Sequence, residues 1–264
     1  MKRIYFFVFC TAILLPLLFT ACDRKPITPE NTQKKKIARI VEEQIDDESE
    51  DVCEEIWEWD GDHLNTITKH FYYYEYGNLV EEEIEIARFF YENDRISTIR
   101  IGNKRYELSY QNNLLSSVIC YDLNDNPNLE YHYEYNGSVL TKVSLSVPSL
   151  TFLDEFYLEW LEGNVAIIKY HYNGNYVSSY TFTYDNKENP FFNLCVNYHD
   201  NLEDPDCFIE RFLLPSSKNN VISGHWSGGW PQTNIIYTYD GDYPTSRKRY
   251  CDGDVIITTY EYQE

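Results

Sequence analysis

One pattern recurs along this chain and leaves few folds open to it. Two aromatic or large apolar residues stand two apart, a short polar turn follows, and then comes an aliphatic. It reads WEWDGDHLNTI from Trp57, YYYEYGNLVEE from Tyr72, FFYENDRISTI from Phe89 and LSYQNNLLSSV from Leu108. It returns as YEYNGSVLTKV from Tyr133, LEWLEGNVAII from Leu158, FTYDNKENPFF from Phe182 and YTYDGDYPTSR from Tyr237. Alternation of apolar and polar residues has the period of a strand. The Asp, Asn and Gly between the runs tolerate the backbone of a tight turn. Strand, turn, strand is a β-hairpin, and eight of them in succession predict an all-β antiparallel meander of up to sixteen strands. Side chains two apart, such as Tyr237 and Tyr239, share a face and can stack on their equivalents in the next hairpin. A lone hairpin is marginal, so neighbours must cover its apolar face. The 25 Tyr and 14 Phe suit such half-buried sheets.

The start of the chain reads as an address. Lys2 and Arg3 precede an apolar run from Ile4 to Phe19, and Phe19-Thr20-Ala21-Cys22 closes it. This is the shape of a secretory signal over residues 1–21, ending in a lipobox in which Cys22 takes the lipid. Several acyl chains on one Cys hold a protein durably at a membrane. No later stretch approaches about 18 consecutive apolar residues, the length of a spanning helix. Residues 22–52 then read as a tether. It opens on the polar, proline-containing DRKPITPENTQKKK and is acidic towards its end. Within it Ile37, Ile40, Val41 and Ile45 fall at the spacing of a short amphipathic helix. The β-hairpin domain is expected from Cys53 to Glu264.

Units of the form Tyr-x-Tyr-Asp-x-x-Gly-x-Leu resemble the YD repeats of Rhs-type extracellular proteins. FTYDNKENPFF, LLPSSKNNV and YTYDGDYPTSRKR, in that order, are similar to a family of uncharacterised bacterial lipoproteins. That family carries a domain of unknown function with a porin-like fold. The resemblance covers roughly Cys53 to Glu264 together with the lipobox. It implies a sheet curled or closed into a porin-like barrel, anchored through Cys22 in the cell envelope at the outer membrane, and it implies no active-site residues. Several hairpins here carry Asn or Asp where the repeat has Gly.

Composition narrows the function. A formal net charge of −21 repels nucleic acid, so no nucleic-acid partner is expected. A membrane-inserted barrel needs an outward aliphatic band on every strand, and RYELSYQ and YLEWLEG place charge or Tyr where lipid would lie. Of the seven cysteines, Cys53, Cys120, Cys195, Cys207 and Cys251 remain beyond the signal and the lipid site. Cys195 and Cys207 flank one loop and are the expected disulfide if one forms; otherwise all five stay free thiols. No Cys-x-x-Cys, His-Glu-x-x-His, Gly-x-Ser-x-Gly or phosphate loop occurs, so no catalytic residue, metal or cofactor is assigned.

One loop differs in texture. SGHWSGGWPQ sets Trp226 and Trp230 among glycines, and open indoles on such a loop can stack on sugars or partner aromatics. The alternative is that the rings fold back onto the end of the sheet. The expectation is a lipid-anchored, non-enzymatic binding module for a glycan or envelope protein. A lipid-anchored hydrolase such as a glycosidase is the alternative, with a membrane-inserted barrel behind it.

Overall fold

In the computed structural model the chain forms a closed antiparallel barrel of sixteen strands. The structure describes residues 35–45, 49–148, 153–192, 209, 214–228, 233–251 and 254–263. The strands are β1 (Ile37–Ile45), β2 (Ser49–Asp60), β3 (His63–Glu75), β4 (Asn78–Glu92), β5 (Arg95–Ile101) and β6 (Lys104–Gln111). They continue as β7 (Leu114–Tyr121), β8 (Pro127–Asn136), β9 (Val139–Ser146), β10 (Leu153–Leu161), β11 (Asn164–Tyr172) and β12 (Asn175–Glu188). The last four are β13 (Asn219–Trp226), β14 (Thr233–Asp240), β15 (Tyr243–Cys251) and β16 (Asp254–Tyr262). Each strand pairs with its neighbours in sequence, and β1 pairs with β16, which removes both sheet edges.

The repeat explains itself at the end of the barrel that holds both ends of the described chain, called the near end below. There each even-numbered strand turns into the next odd-numbered one, and most of these turns take two residues. Asn93-Asp94 and Asn112-Asn113 have positive φ at both positions. This is the backbone of a type I′ hairpin turn, which is why Asn and Asp stand in for Gly here.

Beside each turn lies a register shift that follows one rule. Trp59 pairs with Leu64 while Glu58 pairs with Thr66, so Asn65 is an extra residue. Ser97, Ser116, Thr141, Ala166 and Thr245 occupy the same place in later hairpins. A bulge of this kind resets the phase of the strand. Residues three apart then point inward together: Leu64 and Ile67, Ile96 and Ile99, Leu115 and Val118, Leu140 and Val143, Val165 and Ile168 are all buried. At Ser97, Ser116 and Thr141 the hydroxyl of the extra residue turns back onto the partner strand. Ser116 Oγ donates to the Ser109 carbonyl at 3.0 Å and Thr141 Oγ1 to that of Glu134 at 3.0 Å.

The aromatic before each turn couples one hairpin to the last. Tyr91 donates to the carbonyl of Leu64 (3.0 Å), Tyr110 to Ile96 (2.9 Å), Trp160 to Leu140 (2.6 Å) and Tyr184 to Val165 (2.6 Å). Two further bonds of this kind join the ends of the chain: Tyr262 to Pro244 (2.8 Å) and Trp59 to Ile37 (2.7 Å), while Tyr239 donates to Asp185 instead. The eighth near-end unit is therefore split. β16 supplies its aromatics, Tyr260 and Tyr262, and β1 supplies its aliphatics, Ile37 and Ile40, with a shift between Ile37 and Arg39. Two of the eight stretches depart from the rule: the turn of YYYEYGNLVEE at Tyr76-Gly77 lies at the far end, and FTYDNKENPFF leads from β12 into the long connection to Asn219 instead of a tight turn.

This corrects the reading of residues 37–45 as a short helix in a tether. They are a barrel strand, and Ile37 is 1% exposed. The barrel so begins at Ile37, ahead of Cys53. The three-residue spacing of Ile37 and Ile40 is the spacing of a bulged strand, which over so short a stretch looks the same as a turn of helix. The wall needs no free-edge protection where β1 and β16 meet, and Arg39 clamps that seam from outside, bonding Glu54 on β2 (2.5 Å) and Glu261 on β16 (2.7 Å).

Described parts of the β12–β13 connection pack into the barrel interior. Phe191 packs its ring against Trp57 and Tyr260, with centroids 6.2 and 6.3 Å away, and Ile209 is 1% exposed in the core. Ser217 Oγ accepts from the Val165 amide (3.0 Å) and so ties this connection to β11.

Candidate functional site

The inner wall has two unlike halves, and their difference follows from which side chains the strand phase turns inward. On β5 to β11 the inward residues include Ile99, Tyr106, Val118, Tyr131, Val143, Phe156 and Ile168, a dry aliphatic and aromatic core. On the opposite half a polar row crosses five strands at mid-height. Register places Tyr237 beside Arg247, Arg247 beside Thr258, Thr258 beside Glu42, and Glu42 beside Cys53. Glu55 and Lys69 form a cross-strand pair next to it.

Every charge in this row is paired. Arg247 Nη2 donates to Glu42 Oε2 at 2.7 Å and its Nε to Thr258 Oγ1 at 2.9 Å. Thr258 in turn donates to Glu42 at 3.1 Å. Glu55 accepts from the Trp57 indole at 3.1 Å and lies 3.6 Å from Lys69 Nζ, with Lys69 only 3% exposed. Pairing is the condition for burying charge at all. Burial works against the Arg247 cation, but Tyr260, Glu42 and Tyr237 around it outweigh that and raise its pKa. Burial pushes the Tyr260 hydroxyl up, so it stays a neutral phenol. A quarter of the Arg247 side chain (26%) is still accessible although it points inward, so this half of the interior admits solvent.

A second buried carboxylate stands in the dry half. Asp154, on β10, is 4% exposed and accepts from the Tyr170 hydroxyl at 2.7 Å. Burial raises its pKa, and the Tyr170 bond offsets part of the rise. A half-buried carboxylate, Asp185, is held on β12 by Tyr239 of β14 and by the Asn220 amide of β13 (3.1 Å). It bridges strands β13 and β14, whose register holds only the pairs Ser223 with Asn234 and Gly224 with Thr233.

Of the expected ligand-binding pair, Trp226 ends β13 with its ring turned inward, partly buried and stacked on Tyr180 at 6.0 Å and 15°. Gly228 follows so closely that a Cβ there would lie 2.4 Å from the indole. The loop therefore bends back over its own Trp, and glycine is required for that approach. Trp230 lies outside the described residues. So do Cys22 and the expected pair Cys195 and Cys207. Cys53 and Cys120 are free thiols. Among the described residues no group of three or more His, Cys, Asp or Glu could hold a metal ion. Sequence reasoning missed the polar row, because Glu42, Arg247 and Thr258 become inward residues only once the phase of β1, β15 and β16 is known.

The outer wall is charged from rim to rim, with Arg39 close to the near end, Arg105 beside the far-end turn, and Lys142 and Lys169 between them. Besides the Arg39 clamp it carries Arg105 with Glu107 (2.7 Å), Lys142 between Glu134 and Glu155 (3.2 and 2.7 Å), and Lys169 with Glu159 (2.5 Å). The register puts these residues in outward phase with Tyr157, whose ring lies under Lys142.

These features define a closed antiparallel β-barrel of porin-like fold. The chain is similar to a porin-like protein from Bacteroides uniformis ATCC 8492, with a TM-score of 0.61 and 11% identity, over 86% of this chain and 96% of that one. It also aligns with a porin-like protein from Bacteroides vulgatus ATCC 8482 at 12% identity, covering 87% and 99% of the two chains, but with a TM-score of 0.35. No family model and no curated protein matches the chain.

Proposed function

We propose that this chain is a lipid-anchored envelope protein whose barrel serves as a non-enzymatic binding or interaction module. The observation that carries the reading is the outer wall. A spanning barrel presents an apolar band about 25 Å tall to lipid. Here Arg39, Glu54, Arg105, Glu107, Lys142, Glu155 and Lys169 pair across that region. A wall of this kind belongs in water, and the lipobox ending at Cys22 supplies the membrane attachment that the wall does not. The YD-type lipoprotein family resembled by the chain agrees in address and fold. Glycan or envelope protein is the ligand class, met at the mouth of the barrel near Trp226.

The test has two arms. Cys22→Ser should abolish acyl labelling and release the chain from the membrane fraction; labelling that persists refutes the anchor. The full chain should also survive extraction of peripheral proteins only while Cys22 is present. A glycan and peptide array on the native chain then identifies the ligand class, and turnover of an arrayed glycan would replace the binding reading with the hydrolase.

A further inference from the structure

We propose that the outer edge of β4 between Asn78 and Ile84 is a strand-addition site for an extended basic segment of a partner protein. β4 pairs with β3 from Asn78 to Arg88, with Val80 an extra residue that resets the alternation, so that it runs unbroken from Glu81. On its other side it pairs with β5 only from Ala87, opposite Ile101, because the chain turns at Gly102 into β6. Among the described residues no strand pairs with that side of β4 from Asn78 to Ile84. In an antiparallel strand every second residue turns its N–H and C=O away from the paired neighbour. The stretch therefore offers a row of open backbone donors and acceptors, about 24 Å long at 3.4 Å per residue. All seven residues are exposed, and Leu79, Val80 and Ile84 are 50%, 57% and 55% exposed.

Charge selects the occupant. Glu81, Glu82 and Glu83 stand in succession, so both faces of the strand are acidic. A second copy of this chain would bring the same three acids against themselves, and like charges directly opposite destabilise a strand pair. Charges on an open edge ordinarily block edge-to-edge association. Here they disfavour self-pairing and other acidic strands while favouring one that carries Lys or Arg. Backbone bonds would supply affinity and the Glu side chains specificity, as in other strand-addition interfaces. This deepens the reading of the chain as an interaction module and rests on it, while placing the contact away from Trp226.

The probe is an eight-residue peptide of alternating Lys and Val, tested on the full acylated chain in detergent. Its controls are a Glu–Val counterpart and two Lys–Val twins, N-methylated at the odd or the even amides. The Lys–Val peptide should bind with salt-sensitive affinity and slow amide exchange at residues 78–84. The Glu–Val peptide and one methylated twin should bind at least ten-fold more weakly. Glu81→Gln, Glu82→Gln and Glu83→Gln together should keep the far-ultraviolet spectrum and weaken binding; the matching Lys triple variant should prefer the Glu–Val peptide. Equal binding by both methylated twins, or no binding by the Lys–Val peptide, overturns the proposal. So does self-association that protects residues 78–84. If the array finds a ligand elsewhere while the Lys–Val peptide stays silent, strand addition fails and the module reading stands; silence in both sinks the two together.

Discussion

The indole N–H of Trp59 donates to the carbonyl of Ile37 at 2.7 Å, so the first hairpin of the barrel is bound to the strand that meets the C-terminal one. This bond occupies the same place as those of Tyr91, Tyr110, Trp160, Tyr184 and Tyr262 in their own units. Closure of the barrel is thus the repeat continued across the two ends of the chain.

Ile37→Ala tests that closure. A buried Ile cut to Ala costs about 2–5 kcal/mol in a packed core. A tether residue would cost almost nothing. Urea denaturation of the variant should show the large loss, and an unchanged midpoint would return Ile37 to the tether.

Tyr91→Phe and Tyr110→Phe remove a hydroxyl and keep a ring. Each should cost about 0.5–1.5 kcal/mol, the net worth of a hydrogen bond, and more if the Leu64 or Ile96 carbonyl is left dry. Ile96, whose carbonyl accepts from Tyr110, is also the register partner of Tyr91, so the double variant should depart from the sum of the two single shifts.

Deleting Thr141 removes one bulge residue. Val143 and Leu145, buried at 0% and 1%, would then shift phase and face outward relative to Leu140. A one-residue slip of this kind exchanges the core face for the solvent face. The variant should lose its near-ultraviolet signal and its cooperative melt, whereas Thr141→Ser should retain both.

Asp154 predicts a pH dependence with a definite sign. Its folded-state pKa is raised, first by burial, so ionisation disfavours the folded form. Its contribution to stability is fully present below the unfolded-state value and is lost as pH rises through the folded one. Asp154→Asn removes that loss. The melting temperature of the variant minus that of the native chain should grow from acidic to neutral pH, and a difference that shrinks with pH would refute the assignment.

Trp226→Ala should cost about 1–3 kcal/mol, between the value of an aromatic stack and that of a fully buried ring. Gly228→Ala cannot keep the present indole position, since its Cβ would meet the ring. The near-ultraviolet spectrum should change in that variant while the far-ultraviolet one does not.

The hairpins were legible because they are local. Alternating aromatics and Asn, Asp or Gly turns act within about ten residues, and the turns at Asn93-Asp94 and Asn112-Asn113 have the backbone those residues favour. The bulge was written in the sequence as well, in the Ser or Thr that follows the aliphatic in RIST, LLSS and VLTK, yet its meaning needs a partner strand. For the same reason Ile37 and Ile40 read as helix: their spacing is ambiguous until β16 lies alongside.

By itself, then, the sequence determined an antiparallel succession of hairpins, most of the near-end turns and a count of up to sixteen strands. Tertiary structure decided that the sheet closes, that residues 37–45 belong to it, and which residues line the inside. Those outcomes depend on pairs such as Ile37 with Tyr262 and Glu42 with Arg247, more than two hundred residues apart. No local preference can encode them, because an inward residue differs from an outward one only by the phase that its neighbouring strand imposes.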